Sequence, residues 1–508
     1  MRLERSKDPA VDKILQAIYQ RLFDTAKTLC YKYLGEHPLD TQVVNLLGFV
    51  YLEEYQLEKA KKCFRFVAKN HPDKGQVINC LASAYSRGGE CELGQDFFRA
   101  ALINDYHPDI HSNLLLSTLY SEDERACEEE HKKYRDMHSD IEKITPFVEP
   151  NINKRLRVGF VSADFKGHSV WAFAKSILLN ESQWDIDRIL YYNHTVADKD
   201  TVEAESKADE WYNVAYMSDD ELAQKIVGDK IDILVDLAGH TGSNRLRVFA
   251  QKPAPIQVSY IGYPHTTGLD TMDYRLVDST TDPLDWEYPE KLIRIDPCFL
   301  CYTPKKLQEI NPHDGFVFGS FARVEKLNDF TVGMWAEILS QTKAKLAIKC
   351  YSCEDEATRR RLVSRFGKYG VGSDRIAFIP YAEDPNGHLA LYNSVDLVLD
   401  PYPYNGTTIT CESLSMGVPV VTLMGQSHRS RVSASILKTA GLESCVTDKQ
   451  QDYIDLAVYM SLNKPDKADI RKRFLESDMC NQKRFVNKFE AVLRDMWVDY
   501  CEKQVLVA

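Results

Sequence analysis

LDPYPYNGTTITCESLSMGVPVVTL, residues 399–423, decides the fold. A short apolar run ends near Asp400, an Asn405–Gly406 turn follows, a helix is expected from about Thr407, and a second apolar run, VPVVTL, closes the segment. Strand, turn, helix and strand in that order are the repeating unit of a parallel, doubly wound sheet. Outward from this stretch the same half offers GFVFGSF, KLAIKCY, RIAFIP, VDLVLDPYP and VPVVTLMG, five strand candidates separated by helix-length segments. Upstream, RLRVGFVSADF (155–165), IDILVDLAGH (231–240) and PIQVSYIGYP (255–264) mark strands of an earlier half. Between them SDDELAQKIVGD (218–229) has helical character, with Ser218 or Asp219 placed to cap it. Two Rossmann-like halves are predicted, joined by an irregular link at 283–313. Ligands of such halves bind at the carboxyl ends of the strands, in a cleft.

The N-terminal part differs. Residues 7–108 repeat with a period of 34: Ala26, Ala60 and Gly94 share one register, as do Cys30, Phe64 and Phe98. Leu47 matches Leu81, Tyr51 matches Tyr85, and Pro38 matches Pro72. This is the tetratricopeptide pattern of two helices per repeat, clearest in TQVVNLLGFVYLEEYQLEKAKKCFRFVAKNHPD (41–73). Small residues let paired helices approach, and proline ends the second helix. Residues 109–145 read as helices capping the array, with the charged run ACEEEHKKYRDM as a solvated face. The expected domains are 1–150 (repeats), 151–311 (an acceptor-side Rossmann-like lobe) and 312–508 (a nucleotide-sugar lobe with C-terminal helices).

The 508 residues carry a formal net charge of −12, which disfavours nucleic acid and anionic membranes as bulk partners. The polar start MRLERSKDPAVDK has no signal-peptide core, and no apolar run spans a bilayer. Thirteen cysteines without such a signal point to a reducing compartment. A cytoplasmic location is expected, or a nuclear one in a eukaryote. Cys298/Cys301 and Cys350/Cys353 have CxxC spacing, but each pair sits in a strand-like segment, so buried reduced thiols are expected rather than zinc.

Chemistry concentrates at strand ends. Backbone N–H groups at a helix start near Thr407, with the hydroxyls of Thr407 and Thr408, suit a diphosphate. Glu412 on the same helix can accept bonds from a ribose diol. Lys326, and second to it Arg323, follow another strand of this half and can offset leaving-group charge. In the earlier half His168 (SADFKGHSV) and His240 (VDLAGHTGSNR) stand after strands, each able to accept or relay a hydroxyl proton, with Asp236 available to orient His240. The DKD at 198–200 superficially resembles a metal motif but lacks strand context, and no metal is assigned to it.

PAPIQVSYIGYPHTTGLDTMDYRLVD (253–278), CFLCYTP (298–304), FGSFARVEKL (318–327) and NGTTITCESLSMGVPVVTL (405–423) resemble, in sequence and in order, segments of the O-linked GlcNAc transferase and SPINDLY family. The repeats before them also match, so the resemblance covers roughly 10–500. It implies a GT-B fold and an inverting, metal-independent transfer of sugar from a nucleotide donor to Ser or Thr hydroxyls of proteins, with no further cofactor. By motif, Lys326 resembles the lysine that holds the donor diphosphate. Asn405, Gly406, Thr407 and Thr408 match the phosphate-binding turn, Glu412 the ribose-binding acid and His388 a histidine near the nucleobase. His168 matches the family's active-site histidine. The chain departs from the GlcNAc transferases at Pro385 and Leu391, where they carry basic residues, at Ile409, where they carry threonine, and in lacking the animal enzyme's large insert. CFLCYTP and TTITCESL are closer to SPINDLY, whose plant members use GDP-fucose, so UDP-GlcNAc and GDP-fucose stand about equal as donors. The repeats imply a protein or peptide acceptor. A transferase acting on small glycans or lipids and a non-catalytic repeat scaffold are the alternatives.

Overall fold

The computed structural model describes residues 8–70, 75–146, 148–180, 184–284, 287–311, 313–380, 382 and 385–507. Pro72 of the repeat register, and Asp285 and Trp286 of the link, lie outside the described residues. By packing, the chain divides into two compact units, one of 1–121 with 319–383 and the other of 122–318 with 384–508.

The first unit opens with helices Pro9–Tyr19, Phe23–Glu36, Thr41–Glu53, Leu57–Asn70, Gly75–Arg87, Cys91–Asn104 and Pro108–Thr118. Asp8 and Asp40 cap two of them through their carboxylates, accepting from Ala10 and Val43 N–H. The 34-residue register is the packing register: Ala26, Cys30, Ala60, Phe64, Gly94 and Phe98 are all buried. Gly48 lies so close to Phe64 that a Cβ would sit 2.8 Å from the ring, which is why the position after Leu47 must be small. The remainder of this unit alternates strands with helices Asp329–Gln341 and Glu356–Gly367, capped by Asn328 and Asp355.

The second unit begins with helix Glu124–His138. Its charged run does present a solvated face, but Cys127, His131, Tyr134 and His138, three or four residues apart, form a buried stripe that the sequence reading missed. The first sheet comprises β1 (Leu156–Ser162), β2 (Ile186–Tyr192), β3 (Glu210–Asn213), β4 (Ile233–Asp236), β5 (Ile256–Ser259), β6 (Tyr274–Val277) and β7 (Lys291–Arg294). The strands are parallel and ordered β3-β2-β1-β4-β5-β6-β7. Central β4, β5 and β6 are buried throughout, although Gln257 and Ser259 in β5 and Arg275 in β6 interrupt their apolar residues. Edge strand β7 lies inside the segment expected to be an irregular link; its exposed Lys291 made KLIR look like linker. Ser218, rather than Asp219, caps helix Asp219–Gly228 in a capping box with Glu221.

The second sheet comprises β8 (Val317–Ser320), β9 (Lys345–Ile348), β10 (Ile376–Phe378), β11 (Leu397–Leu399), β12 (Val420–Leu423) and β13 (Val446–Thr447). Its part in the first unit runs β10-β9-β8, and its part in the second β11-β12-β13. Helix Gln482–Val507 ends the chain and returns to the first lobe: Trp497 donates to the Asn151 carbonyl (2.9 Å), and Glu490 pairs with Arg188 (2.8 Å). Helical repeats followed by two parallel Rossmann-like sheets make the predicted GT-B architecture. No described helix is long and apolar enough to cross a membrane.

One cysteine reading fails. Cys298 and Cys301 are buried free thiols, as expected, but Cys350 and Cys353 form a disulfide. The chain turns into a short 3-10 helix at Tyr351–Glu354 directly after Cys350, which brings the two Cα atoms to 5.3 Å.

Candidate active site

The turn at 400–407 is built from behind. Asp400, buried at the end of β11, accepts the Gly406 N–H (2.7 Å) on one carboxylate oxygen and the Thr422 hydroxyl (2.7 Å) on the other. Asn405 donates its backbone N–H to the Arg429 carbonyl and its side-chain amide to the Pro401 carbonyl. The Ser433 hydroxyl donates to the Gly406 carbonyl (2.9 Å). A Cβ on Gly406 would lie 2.6 Å from Ile409, so only glycine fits. Helix Thr408–Ser415 starts here, with Thr407 at the N-cap making no side-chain capping bond. Thr407, Thr408 and Ile409 remain partly exposed, while Thr410 to Ser415 are buried. The helix therefore offers the N–H groups of its first turn at the surface, where partial positive charge favours an anion.

Glu412 lies one turn further on and is buried. His388 Nε2 donates to one carboxylate oxygen (2.9 Å) and the Lys305 ammonium to the other (2.7 Å), with the Tyr392 hydroxyl at 3.5 Å. Burial alone would raise the Glu412 carboxyl. The His388 hydrogen bond and the Lys305 charge outweigh it and hold the group below the usual carboxylate range. The structure thus brings together His388, Glu412 and the helix that starts at the Asn405–Gly406 turn. It adds Lys305, which no spacing in the sequence tied to them.

In the first unit, Lys326 ends a 3-10 turn, Val324–Lys326, following β8. Its backbone N–H donates to the Arg323 carbonyl (3.0 Å), and the side chain is partly exposed. Arg323 keeps an exposed surface, yet Glu325 holds its charge and Tyr120 hydrogen-bonds it, raising its pKa further. Its role in this unit is to tie the turn to the end of the repeats.

His168 stands on the loop after β1, with 43% of its side chain exposed and Nδ1 3.3 Å from the Asp164 carboxylate. The Gly167 N–H donates to Asp198 (2.7 Å), which also caps helix Lys199–Lys207 in a capping box. The DKD segment therefore fastens the His168 loop and starts a helix.

His240 corrects the expectation that it faces a ligand. It has no exposed surface, and Nε2 donates to the Thr267 carbonyl (2.9 Å). Tyr134 and Tyr263 pack edge-on against the ring. Asp236 accepts the Ala238 and Gly239 N–H groups (3.0 and 2.8 Å) and organises that turn rather than His240. The segment His265–Gly268 is further held by buried Glu290, which accepts both the Thr266 and Thr267 hydroxyls at 2.6 Å.

Burial pushes the Asp236 carboxyl up from 3.8 to about 6, against the two N–H bonds. The folded protein then binds the extra proton between these values, so stability falls as pH rises from about 4 to 6, by about 3 kcal/mol if the unfolded value is ordinary. Urea unfolding of the parent and of Asp236→Asn across this range checks it: the parent should lose more stability along that limb than the variant, which keeps Asp232 and Glu490, both also raised by burial, and parallel curves would refute the assignment.

Among the described residues, Cys127, His131 and His265 form a group with ligand atoms within 4.8 Å of one another. His131 already donates from Nδ1 to the Cys127 carbonyl (2.7 Å) and accepts the Tyr263 hydroxyl on Nε2 (2.9 Å). Burial, then His131, Arg275, Arg429 and His428, push His265 well below its ordinary value. The surrounding positive charge disfavours a metal cation.

Against this geometry, the model of glycosyl transferase family 41 matches residues 131–309 and 301–489. The chain belongs to glycosyl transferase family 41. Among relatives, a tomato protein named a probable UDP-N-acetylglucosamine–peptide N-acetylglucosaminyltransferase SPINDLY is 35% identical over 369 residues, covering 69% of this chain and 39% of the relative. An Arabidopsis thaliana protein named SEC, with the same probable activity in its name, is 29% identical, covering 69% and 38%. The chain thus spans about two fifths of the length of these relatives. A solved Thermobaculum terrenum O-GlcNAc transferase mutant superposes with a TM-score of 0.91 at 29% identity, covering 98% of this chain and all of that one.

Proposed function

We propose that this family 41 chain is an inverting, metal-independent protein O-glycosyltransferase, moving a sugar from a nucleotide donor to serine or threonine hydroxyls. The observation that carries the reading is the exposed first turn at Thr407–Ile409 over Glu412, whose charge His388 and Lys305 hold in place. A diphosphate fits the N–H groups and hydroxyls of that turn, and the carboxylate is an acceptor for a ribose diol. In the reaction the hydroxyl oxygen attacks the anomeric carbon as the bond to the diphosphate oxygen breaks, and the electron pair leaves with the diphosphate. Lys326 and the helix start stabilise that charge, and His168 takes the hydroxyl proton. The relatives' names speak for GlcNAc as the sugar, while the closeness of CFLCYTP and TTITCESL to SPINDLY keeps fucose beside it. The repeats are the proposed acceptor groove.

The test has two parts. Thermal stabilisation by UDP against GDP identifies the base, because a ligand bound only by the native state raises Tm. Mass spectrometry of intact lysate proteins after incubation with UDP-GlcNAc or GDP-fucose identifies the sugar. No shift with either nucleotide, or label appearing only in small molecules, defeats the reading. Within it, Glu412→Gln is expected to raise the donor KM about tenfold with little change in kcat, since it removes a charged acceptor made equally in ground and transition states. An unchanged donor KM in steady-state kinetics would take Glu412 out of the donor site.

A further inference from the structure

The Cys350–Cys353 pair has no part in the chemistry above. Of thirteen cysteines, these two alone are bonded to each other and the other eleven form no disulfide. The pair sits just past the carboxyl end of β9, whose neighbour β8 leads into the Lys326 turn. Tyr351, between the two cysteines, is exposed enough to reach the repeats, where its ring stacks on Tyr55 (centroids 5.2 Å, planes 16° apart). Arg87 of the repeats lies over the other partner of that stack, 5.5 Å from the Tyr55 ring. Downstream, Arg359 donates to the Cys353 carbonyl. Arg361 reaches Glu58 (3.0 Å) and Glu90 (3.5 Å) on the repeats. Tyr351, inside the disulfide loop, is thus one of the residues that join this lobe segment to the repeat array within one compact unit.

We propose that Cys350 and Cys353 are a reversible dithiol–disulfide couple, a redox modification site whose state sets how Tyr351 packs on Tyr55. The two sulfurs have different roles. Cys350 keeps 8% of its surface exposed and Cys353 1%, so Cys350 is the sulfur that exchanges with solution and Cys353 the one that resolves. In the oxidising direction the Cys350 thiolate attacks one sulfur of a low-molecular-weight disulfide, breaking its S–S bond and releasing one thiolate. Cys353, having given its proton to solvent, attacks Cys350 Sγ and expels the second thiolate. Both released thiolates take up protons. Two protein thiols become one disulfide while one small disulfide becomes two thiols, and reduction by a small thiol is the reverse. Only Tyr351 and Ser352 lie between the pair, so the resolving step is intramolecular and fast relative to a second encounter.

The full chain, equilibrated in glutathione buffers from fully reduced to fully oxidised, acid-quenched and labelled with a maleimide, tests this by peptide mass spectrometry. The expected result is a single two-thiol transition confined to Cys350 and Cys353 at constant far-UV circular dichroism. Cys353→Ser in oxidised glutathione should accumulate the mixed disulfide at Cys350, and Cys350→Ser should give at least tenfold less adduct at Cys353. Hydrogen exchange over residues 51–58 should rise on reduction of the parent. A pair that stays oxidised in every buffer until the protein unfolds is an inert cross-link and overturns the proposal. Equal adducts in the two variants overturn the assigned roles, and unchanged exchange at 51–58 overturns the coupling to the repeats.

Discussion

Replacing Lys326 with alanine is expected to lower kcat for a protein acceptor by about 10²–10³-fold, the usual loss when one preorganised charge is removed from a developing anion. The donor KM should change far less, because the diphosphate gains most of its negative charge only as the glycosidic bond breaks. The 3-10 turn is held by the Lys326 backbone N–H on the Arg323 carbonyl, and by Val324 and Leu327, which are buried. None of these depends on the ammonium. Arg323 cannot substitute, since Glu325 and Tyr120 already hold its charge. The melting temperature of the variant should therefore stay within a degree or two of the parent, consistent with a partly exposed surface change. Lys326→Arg, which keeps the charge but alters its geometry, should recover part of the rate. Near-normal turnover in the alanine variant, measured by single-turnover kinetics with saturating donor, would take Lys326 out of the chemistry.

How much of this was legible in the sequence depended on whether the signal was local. The 34-residue period gave the repeat core because Ala26, Ala60 and Gly94 face the same packing problem three times. The strands β1, β4, β5, β8 and β11 were legible because buried parallel strands are rich in apolar and β-branched residues, even where a polar one such as Arg157 or Gln257 interrupts them. β7 was not, because an edge strand with exposed lysine has the composition of a loop. The helix Glu124–His138 was found, but its buried face was not, because cysteine, histidine and tyrosine carry weak hydrophobic signals. At the site, the Gly406 turn and Glu412 were legible as one contiguous motif. Lys305 was not, since 107 residues separate it from Glu412 and only the fold joins them. Likewise Asp198 looked like half of a metal motif, and its bond to Gly167 across 31 residues gives it another task. His240 erred in the opposite direction: a histidine after a strand is a good candidate until burial shows which way the turn carries it.

His168 and His240 can be separated by experiment. His168→Ala is expected to lower kcat by at least about 10²-fold, the contribution of a positioned proton acceptor, with only a small loss of stability, about 1 kcal/mol, from the Val170 N–H that Nδ1 accepts, because the loop is otherwise fastened by Gly167 and Asp198. Asp164→Asn should give a smaller loss, since its carboxylate, 3.3 Å from His168 Nδ1, favours the protonated ring that forms when His168 takes up the proton. His240→Ala should do the reverse. It leaves the Thr267 carbonyl without its donor and opens a hole between Tyr134 and Tyr263, so it should cost about 2–4 kcal/mol in urea unfolding. Any rate loss in that variant should recover at lower temperature, where the fold is restored. If His168→Ala turns over at the parental rate while His240→Ala is folded and inactive, the proton acceptor is not the exposed ring, and the loop after β1 is only scaffold.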